Sequence, residues 1–476
     1  MTKMIRRYAS LITLALLHLC SAVGQATSPL EVILQAEASS GGRIGLEVVR
    51  CRDWQPVYCH REDERMTPAS LVKILSTGAA LQQRGTTYRF ATPIYTRGRI
   101  EQGTLDGDVI IYGQGDPSIA SQYIPEDSLR LGLELANALS RIGVQHITGR
   151  LIIEAWRPNL GVHPSWMVED IGAAYGAGLY GLNYADNALD LYVGTVRGKR
   201  KGQSARIVDW DRDSNIQWRN ELRVGKRNTA MVLLTPTEPE ARITGLIPRN
   251  TQRLNLRPAN PDPATYAGKK LIRLLKQHGI SIEKPVRVNY KPKTTKGELL
   301  HTYYSQPLDS LARITNHRSH NLFAEAIASL LRADGSDISR GDALTNYWRS
   351  RLSLTDNSIS LSDGSGLSRL NQITPSTLSR ILIDLMGGFL PHDGALVESL
   401  PQLGLDGTVR SLMGADELTA YLKSGSMRGV QCYAGYIEHE GEWYILVYMA
   451  NGFASNREAR ETLRQFLRLA FLQPQR

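Results

Sequence analysis

A helix reads from Thr67-Pro68, short β-like runs with glycine-rich turns fill about residues 92–300, and helices resume only at Leu308. Helices and strands segregated in this way predict an α+β fold, with a helical part interrupted by a large β-rich block. The helix start carries chemistry of its own. In Thr67-Pro68-Ala69-Ser70-Leu71-Val72-Lys73, Thr67 suits the N-cap and Pro68 the first helical position, where a missing N–H costs nothing. Ser70 then lies in the first turn, where backbone N–H groups lack intrahelical partners and the helix dipole favours negative charge. Lys73 follows one turn later on the same face. A hydroxyl, an amine and free amide donors thus meet at one point: a nucleophile, its base and half of an oxyanion hole. Alone the motif is weak, since Ser-x-x-Lys is expected about once by chance in a chain this long.

At 476 residues, 42% hydrophobic and 21% charged, the chain is globular and has room for more than one domain. Lys3, Arg6 and Arg7, the mostly apolar Tyr8–Cys20 run, and small Ala22 and Gly24 have the layout of a cleaved export signal over residues 1–24. The apolar run is shorter than the roughly 20 residues that span a bilayer, and no other segment is apolar enough, so the reading is an exported protein without a membrane span. Its formal charge of +10 becomes +7 on cleavage, which favours an anionic polymer such as cell wall. Sparse aromatics, 7%, and the lack of a recognised binding module argue against nucleic acid. Cys51 and Cys59 flank a turn between two strand-like runs and could form a disulfide or remain free thiols. No Cys or His spacing matches a metal site.

Strands are expected at Gly45–Val49 and near Val57, and helices at Ala264–His278, Asn321–Leu331 and Pro375–Met386. Alternating strands from Leu418 to Tyr448 precede a basic amphipathic helix, Asn456–Leu472. Packing against the last sheet accounts for that helix better than membrane docking, leaving at most peripheral membrane contact. A polar stretch at about 192–255 reads as a subdomain nested within the β-rich block.

Two further motifs follow. Ser319-His320-Asn321 precedes a helix, and because residues two apart do not share a helical face, a turn is needed to aim Ser319 and Asn321 at one cleft. There Ser319 can relay a proton and Asn321 can hold a substrate amide. Lys423-Ser424-Gly425-Ser426 lies in an expected strand, Thr419–Met427, with Lys423 and Gly425 on one face. The missing Gly425 side chain would let a substrate backbone approach, while Lys423 fixes a carboxylate and depresses Lys73 by repulsion.

In this order the three motifs resemble the Ser-x-x-Lys, Ser-Asp-Asn and Lys-Thr-Gly set of penicillin-binding proteins and serine β-lactamases. The 249-residue gap from Ser70 to Ser319 resembles one kind in particular, the D-alanyl-D-alanine carboxypeptidase/endopeptidase family of class C low-molecular-mass penicillin-binding proteins. The resemblance extends to Tyr112–Ser118, to Ser165-Trp166 through Asp170, Tyr175 and Asn187, and to Asp363–Ser368 and Leu405–Arg410. His320 and Ser424 stand where the family commonly has Asp and Thr. The resemblance implies a transpeptidase-like catalytic domain of antiparallel sheet and helices, residues 25–91 and 301–476, split by an insert at 92–300 that supplies neither nucleophile nor base. It implies an exported, periplasmic or envelope serine peptidase that acts on peptidoglycan peptides and is acylated by β-lactams, without cofactor or metal. Ser70, Lys73 and Ser319 would be catalytic, and Asn321, Lys423, Ser424, Gly425 and Ser426 would bind substrate. A β-lactamase-like hydrolase and a silent wall-peptide-binding relative are the alternatives.

Overall fold

The computed structural model describes residues 28–156, 161–197, 203–235, 240–291, 297–332, 338–387, 394–414 and 416–472. The expected export signal, residues 1–24, lies outside them. At the centre is a five-stranded antiparallel sheet that joins the two ends of the chain, in the order Gln55–His60, Arg43–Arg50, Glu442–Asn451, Val430–His439, Thr419–Met427. These include the strands expected at Gly45–Val49, near Val57 and between Leu418 and Tyr448, lengthened by a residue or more at several ends.

One sheet face is covered by the first helix, Pro29–Ser40, and the last, Asn456–Leu467. Ile33, Leu46, Tyr448, Leu463 and Phe466 are buried between them. The basic terminal helix therefore spends its apolar stripe on the sheet and continues as a short π turn, Arg468–Leu472. On the other face the Val72–Arg84 helix packs with Pro375–Leu385 over Leu75, Trp348, Ile381 and Val447. The pair Leu308–Arg318 and Asn321–Ser329 closes around the Val72–Arg84 helix through Ala80, Leu311, Phe323 and Ile327. Consequently every residue from Val72 to Ala80 is buried, Lys73, Ser76 and Thr77 included.

Residues 91–304 build a separate seven-stranded sheet around the Ala91–Glu101/Thr104–Tyr112 hairpin. Helices Arg130–Arg141 and Pro263–Gln277 cover it, the latter capped by Asp262, whose Oδ1 accepts from the Thr265 N–H at 3.1 Å. Within this stretch, short strands between Leu191 and Asn255 enclose a small core of their own that contains Val193, Ile243 and Ile247. No helix among the described residues is long and apolar enough to cross a membrane. Cys51 and Cys59 are free thiols. Cys59 sits on the outer strand opposite Glu47, whereas Cys51 follows the neighbouring strand and lies 3.8 Å from Met386 Sδ.

Candidate active site

The segment around Ser70 differs from the expected capped α-helix. Ala69–Leu71 forms a 3₁₀ turn that leads into the helix at Val72, and no side chain caps it. Thr67 is occupied elsewhere, its N–H donating to Asn451 Oδ1 and its hydroxyl accepting from Gln372 Nε2. Ala69 holds φ +48°, an uncommon conformation for a residue with a side chain. Two glycines explain how it is held. A Cβ on Gly366 would lie 1.9 Å from the Ala69 carbonyl, and one on Gly425 would lie 2.6 Å from the Pro68 carbonyl. Gly425 thus lets the turn that carries Ser70 pack closely against the Lys423 strand.

Lys73 Nζ reaches three acceptors: Ser70 Oγ at 2.9 Å, Asn321 Oδ1 at 2.7 Å and the Ser365 carbonyl at 2.5 Å. Burial pulls its pKa down to about 7, while the negative charges of Asp363 and Glu325 oppose the shift. Lys423 is equally buried; its Nζ donates to Ser319 Oγ at 3.0 Å and to the Ser424 carbonyl at 2.6 Å. Burial first, and then the charge of Lys73, push Lys423 well below the lysine range. The repulsion expected to act on Lys73 is therefore felt by Lys423, which no carboxylate offsets.

The turn expected before the Asn321 helix is present. Ser319 ends the Leu308–Arg318 helix in the left-handed conformation, φ +52°, and Asn321 opens the next helix. Ser319 is thereby turned to Lys423, and Asn321 to Lys73. Asn321 Nδ2 also donates to the Tyr175 carbonyl at 2.7 Å, leaving one of its N–H groups for other partners. His320, the departure from the common Asp, is packed between Tyr123 and Phe323 with Nε2 3.6 Å from Asp186 Oδ1. Burial lowers its pKa to about 4 against the pull of Asp186, so the ring is neutral at pH 7. Ser424 Oγ donates to Thr408 Oγ1 at 2.7 Å, and Ser426 Oγ accepts from Asn456 Nδ2 at 2.9 Å.

Sequence reasoning marked Asp363–Ser368 only as part of the family resemblance; in the structure this loop presents the Ser365 carbonyl to Lys73. The Asp363 carboxylate organises that loop. Its Oδ1 accepts from the Gly366 N–H and Asn371 Nδ2, and its Oδ2 from the Ser368 N–H and Trp166 Nε1, at 2.6–2.9 Å. Ser165 Oγ adds a 2.7 Å bond to Ser368 Oγ. Trp166 and Tyr175 both belong to the stretch between the first two motifs, so that stretch contacts the groups around Lys73.

A family model for the D-Ala-D-Ala carboxypeptidase 3 (S13) family matches residues 26–470. The chain belongs to this family. With membership comes the family's reaction, hydrolysis of D-alanyl-D-alanine peptides through an acylated serine. Among curated relatives, it is 23% identical to the D-alanyl-D-alanine carboxypeptidase DacB of Haemophilus influenzae over 90% of each chain. It is 26% identical to a D-alanyl-D-alanine carboxypeptidase of Actinomadura sp. strain R39, over 92% of this chain and 85% of that one. The crystal structure of penicillin binding protein 4 (dacB) from Haemophilus influenzae has the same fold, with TM-score 0.76 and 24% identity, covering 92% of this chain and 97% of that one.

Proposed function

We propose that Ser70 is the nucleophile and that neutral Lys73 is its base. A neutral amine has two N–H groups and one lone pair. Asn321 Oδ1 and the Ser365 carbonyl take the two N–H groups, which leaves the lone pair for the Ser70 hydroxyl at 2.9 Å. That single arrangement carries the reading. Ser70 Oγ bonds to the scissile carbonyl carbon as its proton passes to Lys73, and the backbone N–H groups of Ser70 and Ser426 receive the oxyanion. The C–N bond then breaks, and the proton reaches the departing nitrogen through Ser319. Water attacks the ester, giving a free carboxylic acid and restoring the Ser70 hydroxyl.

Lys423 with Ser424 holds the terminal carboxylate of the leaving D-alanine. A desolvated amine with only a hydroxyl and a carbonyl for partners lacks a countercharge, and an arriving carboxylate supplies it. Peptidoglycan peptides are the natural substrates and β-lactams the covalent inhibitors; penicillin binding protein 4 of Haemophilus influenzae, which shares the fold, has been solved complexed with a novel β-lactam. The place of action is the periplasm, after export on the residue 1–24 signal. The chain divides into a catalytic domain, 25–91 with 301–476, and an insert at 92–300 with a nested subdomain near 192–255. The separate sheets and cores support that division.

Intact mass after exposure to penicillin tests the assignment. The parent should gain one drug mass, Ser70→Ala none, and Lys73→Arg little more than Lys73→Ala, because a guanidinium keeps the charge but is no base. An undiminished adduct on Ser70→Ala would remove Ser70 from the mechanism.

A further inference from the structure

Beside the motifs lies a cavity of about 610 Å³ whose walls flank the carboxylate-holding side of the site. His317 and Arg318, next to Ser319, form one wall, with Arg313 one turn back on the same helix. Asp406 and Arg410 form the other, on the loop whose Thr408 hydroxyl receives the bond from Ser424. Arg313, Arg318 and Arg410 are all exposed, and none has a carboxylate partner among the described residues. Arg318 rests over the Tyr123 ring, 5.8 Å from its centroid. The cavity's one acid, Asp406, is already engaged by His317 Nδ1 at 3.4 Å and by the Gln402 N–H at 2.8 Å. Three uncommitted guanidiniums against one committed carboxylate make a receptor for anions.

Its position says which anion. The bond to be cut lies between Ser70 and Ser319, and the part that leaves points toward Lys423 and Ser424. Anything attached to the leaving nitrogen beyond a single residue must extend past Ser319 and Thr408, which is where these walls stand. We propose that this cavity seats the departing half of a cross-linked substrate, selecting leaving peptides that carry carboxylates of their own. The inference rests on the roles given above to Ser319 and Lys423, and it adds a specificity site to them. It also gives the protein an endopeptidase preference based on charge, distinct from recognition of the D-alanine terminus.

Three substrates test it: a linear peptide ending in D-Ala-D-Ala, a cross-linked dimer whose leaving strand bears two free carboxylates, and the same dimer amidated at both. The parent should cleave the free dimer about tenfold faster in kcat/KM than the amidated one, each exposed guanidinium giving roughly two- to threefold. About 0.5 M salt should shrink that preference. Arg313→Gln/Arg318→Gln/Arg410→Gln should bring it close to one while cleavage of the linear peptide and penicillin acylation stay within about twofold of the parent. The double variant Arg313→Gln/Arg410→Gln, which leaves the neighbour of Ser319 untouched, should lose most of the preference, and three Lys replacements should restore part of it. A parent indifferent to amidation, a triple variant that keeps the preference, or a parent that cleaves only the linear peptide would each overturn the cavity's role and leave the serine-peptidase reading intact. A parent that neither cleaves the linear peptide nor takes up penicillin would overturn that reading, and this one with it.

Discussion

Trp166→Phe isolates how far the stretch between the first two motifs acts on Lys73, the base in the mechanism proposed above. The ring stays, so packing is largely kept, and the Nε1 donor 2.8 Å from Asp363 Oδ2 is lost. A hydrogen bond to a buried carboxylate is worth about 1.5–3 kcal/mol, and three donors remain to hold Asp363. The loss falls on the loop that offers the Ser365 carbonyl to Lys73. A shift of some tenths of an ångström there frees the amine to turn its lone pair from Ser70, and misplacement on that scale costs on the order of tenfold in rate. Penicillin acylation should therefore slow about tenfold with a lowered melting temperature, although Trp166 touches neither Ser70 nor Lys73. Ser165→Ala, which removes a neutral bond of about 0.5–1.5 kcal/mol, should do less. Acylation by Trp166→Phe within twofold of the parent, at an unchanged melting temperature, would refute the chain of positioning from Trp166 to Lys73.

The pH profile follows from the sign of the Lys73 shift: with its pKa pulled down to about 7, the reactive neutral amine loses about tenfold per pH unit below that value. Stopped-flow acylation rates should rise between about pH 5.5 and 7 and then level off, and a rate that falls as pH rises would contradict Lys73 as base. Gly425→Ala should cut acylation by roughly a hundredfold while the near-UV spectrum stays native, since its Cβ meets the Pro68 carbonyl at 2.6 Å and the Ser70 nitrogen at 3.1 Å. Near-parent acylation would show that the turn yields at no cost.

The central sheet was legible because its strands are runs rich in β-branched and aromatic residues bounded by turns, and the motifs because each pairs a functional side chain with a nearby turn or strand. Helix limits moved by one or two residues, except that the helix expected from Pro68 begins at Val72 after a 3₁₀ turn and the terminal helix gives way to a π turn after Leu467. The Pro29–Ser40 helix escaped a reading by apolar stripe, yet Ser28 and Glu31 form a capping box with Pro29 at the first position, a signal that was there to be used. What the sequence could not show was backbone chemistry. The carbonyls of Ser365 and Tyr175 are invisible as residue types, and only the fold aims them at Lys73 and Asn321. The expected cap at Thr67 failed because Gln372 and Asn451, distant in sequence, claim that residue. Gly425 has a packing reason that the sequence could not show, because the backbone that needs the space belongs to Pro68 and Ser70, some 355 positions away.

The pairing of Arg43–Arg50 with Glu442–Asn451 sets an order of assembly. As the chain emerges from its N-terminus, the first two strands find only each other, and a lone hairpin is marginal in water. The seven-stranded sheet has all its strands by Tyr304 and can form without the residues that follow. The Lys423 pocket comes last, because Lys423 and the strand that completes the sheet lie in about the final eighth of the polypeptide. Until the Thr419–Met427 strand has paired, Ser319 lacks Lys423, and a chain cut short before that strand carries Ser70 without it.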